Sequence, residues 1–386
     1  IDSDLDVVIV EKSICGGSSS GRSSGFITPD SELELNQLIR RYGLKNAKIV
    51  WDMAVKGVEL IKHNIERYNI RCDYQKQDSL FLGLGKSGFE DVKEEVLARK
   101  AAGFPYELYK EKKLSKIIGS GCYSAGVRYG NTFGITSLLY CQGMKDILRK
   151  KGIRIYEATE VISIDGVKAK TRLDSIKAKK IIVCVDKMKP SFVGKYTAKK
   201  YYHAQTFLAI SEPLSKGDIN YIFPEEKMMC WDSRLVYTYY RMTGDDRLLV
   251  GGGSTLTTYY PTYLNSPIII NSVINGIKKK FPNLKHIKFI QYWPGLIDIT
   301  KDLIPIADYN PNNKNILHVI GCPGLPWAAF CGDYIAKKII DKSAVDYSTY
   351  LGVKRKFFIS EDLQNFIGKI PSFSINNLYS KYVQKY

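Results

Sequence analysis

Residues 5–26 read LDVVIVEKSICGGSSSGRSSGF, and the order of residue types in this stretch decides the fold. From Leu5 to Glu11 runs a short apolar, β-branched segment closed by an acid, the pattern of a parallel strand buried on both faces. Behind it Gly and Ser dominate residues 13–26, so the backbone there is free to approach a ligand closely. Dinucleotide-binding folds place an acid at a strand end to hold a ribose, and Glu11 would accept hydrogen bonds from such hydroxyls. Ser18, Ser19, Ser20, Gly21, Arg22, Ser23 and Ser24, followed by Gly25, supply hydroxyl and backbone donors plus one guanidinium, a set suited to a diphosphate and a polarised ring edge. The same composition suits a mobile linker. The strand directly upstream and the embedded Arg22 argue against that reading.

Working outward, Ala47, Val50, Trp51, Ala54, Val58, Ile61 and Ile65 recur at steps of three and four and predict a long amphipathic helix. A second helix is expected after Gly134, followed by short strands over 153–166 and 177–186. Residues 315–341, NILHVIGCPGLPWAAFCGDYIAKKIID, predict a strand from Ile316 to Ile320, a Gly/Pro turn and a helix from about Ala328 to Ile340. Such a unit presents backbone N–H groups to a ligand in α/β folds. Residues 196–295, rich in Tyr and alternating segments, read as a separate antiparallel sheet inserted between parallel-sheet segments.

The 386 residues suffice for two to three domains, and 45% hydrophobic content excludes bulk disorder. Lys plus Arg number 57 against 39 acids, but no long basic block stands apart, so a solvated basic surface is expected rather than a nucleic-acid partner. Eight cysteines without a C-x-x-C pair read as thiols in a reducing compartment, and the four histidines lack metal-site spacing. No apolar run reaches the roughly 18 residues that span a bilayer, and no signal peptide is visible, so a cytoplasmic location is expected.

Taken together, these segments resemble the FAD-dependent D-amino acid oxidase superfamily, especially its glycine oxidase, sarcosine oxidase and γ-glutamylputrescine oxidoreductase branches. VVIVEKSICGGSSSGRSSGF is similar to the family's second strand and S-G-R-x-G-G loop, with Ser20, Gly21, Arg22 and Gly25 matching and Ser24 replacing a Gly. EATEVISI resembles the strand where Val161 would meet the adenine through its backbone. WDSRLVYTYYRMTGDDRLLVGGG, YWPGLIDITKDLIPIAD and GCPGLPWAAFCG are similar in order and spacing to the substrate-domain sheet and the flavin-contacting C-terminal turn. The resemblance implies an α/β protein: a discontinuous, Rossmann-like FAD-binding domain (1–75, 134–195, 296–350), an inserted mixed or antiparallel-sheet substrate domain (76–133, 196–295) and a C-terminal tail (351–386). It further implies FAD contacts from Glu11, the Ser19–Gly25 loop, Val161, Gly321, Gly324, Leu325 and Pro326. The implied reaction is oxidation of a C–N bond in a small amine or amino acid to an imine, with oxygen or another electron acceptor. Tyr239, Tyr240, Arg241 and Trp293, with Trp231, would shape the substrate pocket, and Asp298 is a candidate to face a cationic amine.

Four departures from the family pattern carry expectations of their own. The G-x-G-x-x-G turn expected about thirty residues before the second strand is absent from a chain that opens at Ile1, which reads as a fragment or an unrepresented start. The G-x-x-G-H-G turn is here Gly321-Cys322-Pro323-Gly324-Leu325-Pro326, without the His. Ile297 stands where amino-acid oxidising members carry a carboxylate-binding Arg. Leu249 takes the place of an oxygen-activating Lys, and Gly295 or Leu296 that of a flavin-linking Cys, so non-covalent FAD is expected. Two other readings stay open: a tRNA-modifying FAD-dependent relative and a non-catalytic truncated flavoprotein.

Overall fold

The structure, a computed structural model, describes residues 5–29, 32–253, 266–341, 343–357, 359–368, 370, 371 and 375. Among the described residues the largest sheet has eight strands. In spatial order these are Phe289–Thr300, Tyr201–Pro213, Arg247–Gly252, Tyr239–Met242, Met229–Asp232, Ser79–Leu84, Tyr123–Tyr129 and Glu107–Lys110. Neighbours pair antiparallel except Met229–Asp232 against Ser79–Leu84, which run parallel. The sheet is therefore mixed. The antiparallel sheet read from residues 196–295 recruits strands from residues 79–129, because Met229, Cys230 and Trp231 are fully buried and need a partner on that edge.

Two smaller parallel pairs complete the α/β part. Val8–Val10 pairs with Arg154–Tyr156. Ile181–Val183 pairs with Asn313–Ile320, whose other edge takes Ile306–Asn310 antiparallel. Among the described residues these pairs belong to separate sheets. Val8, Ile9 and Val10 are consequently half-buried and Leu5 and Val7 exposed, not covered on both faces as their apolar run predicts.

The predicted long helix spans Leu35–Tyr68, bends at Gly43 and stops at Asn69, which adopts the left-handed conformation. Its buried face carries Ala47, Val50, Trp51, Ala54, Val58, Ile61 and Ile65, each of the larger side chains contributing roughly 1.5–3 kcal/mol by leaving water. It packs on the Leu325–Ile340 helix, and the close approach depends on Gly57, where a Cβ would lie 1.9 Å from the Pro326 carbonyl oxygen. One core joins these helices to one face of the large sheet through Trp51, Tyr129, Trp231 and Trp327. A second core, with Tyr240, Phe223 and Phe281, covers the opposite face. No helix among the described residues is long and apolar enough to cross a membrane.

Candidate cofactor and substrate cleft

A cleft of about 2310 Å³ opens between the two parallel pairs and continues beneath the large sheet. It exceeds the roughly 300–1,000 Å³ of an ordinary small-molecule pocket, leaving room for a long cofactor together with a substrate. At one end stand Glu11, Val161 and Ser19, Ser20, Arg22, Ser23 and Ser24 of the Gly/Ser loop. Gly321, Gly324, Leu325 and Pro326 also line the cleft, where the Leu325–Ile340 helix begins with Gly324 as its N-cap. The positive end of that helix dipole therefore borders the cleft.

The loop is held by contacts distant in sequence. Ser19 Oγ donates to the Leu296 carbonyl (2.8 Å), Arg22 Nη1 to the Pro294 carbonyl (3.2 Å), and Trp293 Nε1 to the Arg22 carbonyl (3.0 Å). Gly25 closes the loop at φ +75°, and a Cβ there would lie 1.8 Å from the Ile135 carbonyl oxygen, so only glycine fits. Gly21 and Gly25 shape the loop from outside the cleft lining, as does Trp293. An accepting acid at a strand end, with the donors of a hydroxyl-rich loop carrying one guanidinium and of a helix N-terminus, forms a hydrogen-bonding set that fits FAD. Glu11, the loop and the 321–326 turn are the residues that could hold it.

The four expected substrate residues fall in different places. Tyr239 lines the cleft, its ring edge-on to Phe26 (5.9 Å between centroids) and its hydroxyl 3.1 Å from Thr206 Oγ1. Tyr240, one residue along the strand, necessarily faces the other way, and is buried beside Phe223 and Phe281. Arg241 is only 2% exposed and donates to three carbonyls: Nε to Ser24 (2.6 Å), Nη2 to Ile135 (2.6 Å) and Nη1 to Met242 (2.9 Å). Burial pulls its pKa down to about 10. It fastens the Gly/Ser loop to the sheet and does not line the cleft. Asp298 is also off the cleft, held by His203 Nδ1 (2.5 Å) and the Met188 N–H (2.9 Å). Ile297 does line the cleft, whereas Leu249 is buried on the strand paired with Arg241.

Several cleft residues escaped the sequence reading. Asp186 lines the wall, and burial pushes its carboxyl up to about 6. Glu32 and Glu34 line the cleft as well, Glu32 with a left-handed backbone (φ 61°). Glu32 accepts from the Tyr237 hydroxyl (2.7 Å), and Glu34 from Trp231 Nε1 (2.8 Å) and the Tyr129 hydroxyl. Burial, reinforced by nearby Glu95, pushes the Glu34 carboxyl up to about 8. The available signal was the run Glu32-Leu33-Glu34-Leu35, two acids placed among buried leucines just after the loop.

Comparison with known proteins identifies the family and the fold. A family model described as FAD dependent oxidoreductase (DAO) matches residues 2–338. Gamma-glutamylputrescine oxidoreductase of Escherichia coli is 26% identical over 83% of this chain and 74% of its own length. The Haemophilus influenzae protein named "Probable oxidoreductase OrdL" is 26% identical over 86% and 77%. Among solved structures, L-proline dehydrogenase from P. horikoshii superposes with a TM-score of 0.75 at 18% identity, covering 90% of each chain. Glycine oxidase from Geobacillus kaustophilus superposes with a TM-score of 0.76 at 14% identity, covering 91% of this chain and 92% of its own. The chain belongs to the DAO family of FAD-dependent oxidoreductases, enzymes whose cofactor is FAD.

Proposed function

We propose that the protein oxidises the C–N bond of an amine, in preference to an α-amino acid, to an imine that water hydrolyses to a carbonyl compound and a released amine or ammonia. The observation that carries this reading is Ile297 on the cleft wall, with Arg241 committed to the carbonyls of Ser24, Ile135 and Met242. An α-carboxylate would thus lack a bidentate partner at the place the family uses and at the nearest substitute, and burying it unpaired costs several kcal/mol. The name of the Escherichia coli relative, a γ-glutamylputrescine oxidoreductase, is in keeping with an amine substrate.

The chemistry that FAD would supply in this cleft is a two-electron acceptor for the hydride lost from the carbon attached to the nitrogen. The protein's part is placement. Phe26, Tyr237 and Tyr239 wall the cleft with aromatic faces, their adjacent ring centroids 5.9 and 5.7 Å apart, and exclude water from the reacting carbon. Backbone donors at the start of the Leu325–Ile340 helix would stabilise negative charge on the reduced ring. Glu11 would take the ribose, Arg22 with Ser19 and Ser20 the diphosphate, and Val161 the adenine. With Gly295 and Leu296 where a linking Cys would stand, the cofactor is held without a covalent bond.

Anaerobic flavin bleaching against matched amines and α-amino acids tests the proposal. Alkylamines should bleach faster than glycine or D-alanine and leave a carbonyl product. Faster bleaching by the amino acids would overturn the preference, and bleaching by neither class would overturn the reaction.

A further inference from the structure

Asp186 brings a carboxyl group to the cleft wall just beyond the Ile181–Val183 strand. There it meets Ser19 in a side-chain hydrogen bond, and Ser19 is one of the loop residues that would take the diphosphate. A hydroxyl has one hydrogen, and Ser19 Oγ gives its own to the Leu296 carbonyl (2.8 Å). Toward Asp186 it can then only accept, so the hydrogen between the two side chains comes from the carboxyl group. An ionised Asp186 would compete with Leu296 for the Ser19 hydrogen, whereas a neutral one leaves that clasp whole. The groups around Asp186 divide charge the same way. Asp298, on the strand Phe289–Thr300, donates its backbone N–H to Asp186 Oδ1 (3.3 Å). Its own fully buried carboxylate is held by the Met188 N–H (2.9 Å) and by His203 Nδ1 (2.5 Å), whose ring, on the strand Tyr201–Pro213, is partly open to water. The charge on Asp298 disfavours a second one on Asp186. Cys322, in the turn before the Leu325–Ile340 helix, faces Asp186 as a thiol kept neutral by its hydrogen bond to Cys331 and by burial. Lys187, next in the chain, pulls the other way, but burial outweighs it and raises the Asp186 carboxyl to about 6.

We propose that Asp186 meets bound FAD as a neutral carboxylic acid, so that the cofactor and one proton bind together. This rests on the placement of the diphosphate at the Gly/Ser loop. A cofactor entering the cleft takes water away from the carboxyl group and brings the negative charge of its diphosphate, and both changes favour the protonated form. The proton passes from solvent to the Asp186 carboxylate, and no covalent bond of the cofactor changes. Protonated, the group can donate a hydrogen bond into the cleft, where ionised it could only accept one and repel an anion. At pH 7 about nine in ten molecules of the free protein carry the ionised group, so the uptake approaches one proton for each FAD bound.

The test is a calorimetric titration of FAD into the protein stripped of its cofactor, near neutral pH, in two buffers of different ionisation enthalpy, which counts the protons taken up. The wild type should take up close to one proton per FAD, and its affinity should fall by up to about tenfold per pH unit between about pH 6.5 and 8.5. Asp186→Asn keeps the shape with a neutral side chain at every pH. It should take up no proton and hold its affinity level over the same range, exceeding the wild type at the alkaline end. His203→Gln should leave the uptake in place. Uptake that vanishes in His203→Gln and survives in Asp186→Asn assigns the proton to the ring and overturns the proposal. No uptake by the wild type overturns it as well, whether or not any variant folds. Arg22→Ala reports on the placement of the diphosphate separately. If its FAD affinity is unchanged the diphosphate is not at the loop and the proposal falls with that placement, whereas weakened binding without proton uptake overturns the role of Asp186 alone.

Discussion

Replacing Arg241 with Met removes the pin between the Gly/Ser loop and the large sheet while keeping the length of the apolar stem. Three hydrogen bonds are lost, those to the carbonyls of Ser24, Ile135 and Met242, of which Met242 keeps a second donor in Gln77 Nε2 (2.9 Å). Hydrogen bonds to a charged group contribute about 1.5–3 kcal/mol each, so the gross loss is about 5–9 kcal/mol. Against it stands the release of a guanidinium that is 2% exposed, whose burial costs several kcal/mol. The net destabilisation should be about 2–4 kcal/mol, read as a lower urea midpoint at an unchanged m-value. FAD should also bind more weakly, because the Ser24 and Ile135 carbonyls flank Gly25, the residue that closes the loop. The relative bleaching rates with amines and α-amino acids should stay as in the parent. A variant with stability within about 0.5 kcal/mol of the parent, and with losses confined to carboxylate-bearing substrates, would refute this reasoning and make Arg241 a carboxylate clamp.

Other consequences are checked more simply. Arg22→Ala should lower FAD affinity by about tenfold to a hundredfold through loss of a charge-assisted diphosphate contact, and an unchanged titration in a folded variant would move the cofactor away from the loop. Gly57→Ala forces a Cβ to within 1.9 Å of the Pro326 carbonyl oxygen, so it should cost about 1–3 kcal/mol and loosen FAD by shifting the turn at the helix start; thermal melts with and without added FAD measure both. Glu34, raised from 4.5 to about 8 by burial and Glu95, favours its protonated form in the folded state. Its contribution to stability is therefore full below about pH 4.5 and lost as the pH rises through about 8. Glu34→Gln should flatten that decline in urea midpoints, and an identical slope would place the buried proton elsewhere.

The local pieces of this protein were legible because each rests on a short-range rule. Steps of three and four from Ala47 to Ile65 can bury one face only as a helix, and the predicted span lies inside Leu35–Tyr68. The run from Ile316 to Ile320 followed by a Gly/Pro turn gave a strand and a helix within three residues of the observed ends. The turn of the Gly/Ser loop was legible because at Gly25 the backbone has φ +75° and a Cβ would meet the Ile135 carbonyl, which only glycine avoids. What lay beyond the sequence is everything decided by which face a residue turns to and what stands opposite it. Tyr239 and Tyr240 are neighbours of one type, and only the pleat and the sheet's place over the cleft send one to the cleft and the other to a core. Arg241 read as a substrate partner because a guanidinium suggests an anion, but folding surrounds it with three carbonyls, two of them more than a hundred residues away. Glu32 and Glu34 became cleft residues only when Tyr129, Trp231 and Tyr237, from 95 to 205 residues distant, closed around them. The sequence by itself determined the helix, the strand ends and the glycine-dependent loop, since these obey nearest-neighbour geometry. Only the tertiary structure decided which charges are matched and which face the cleft, because that balance is struck between residues that meet through folding alone.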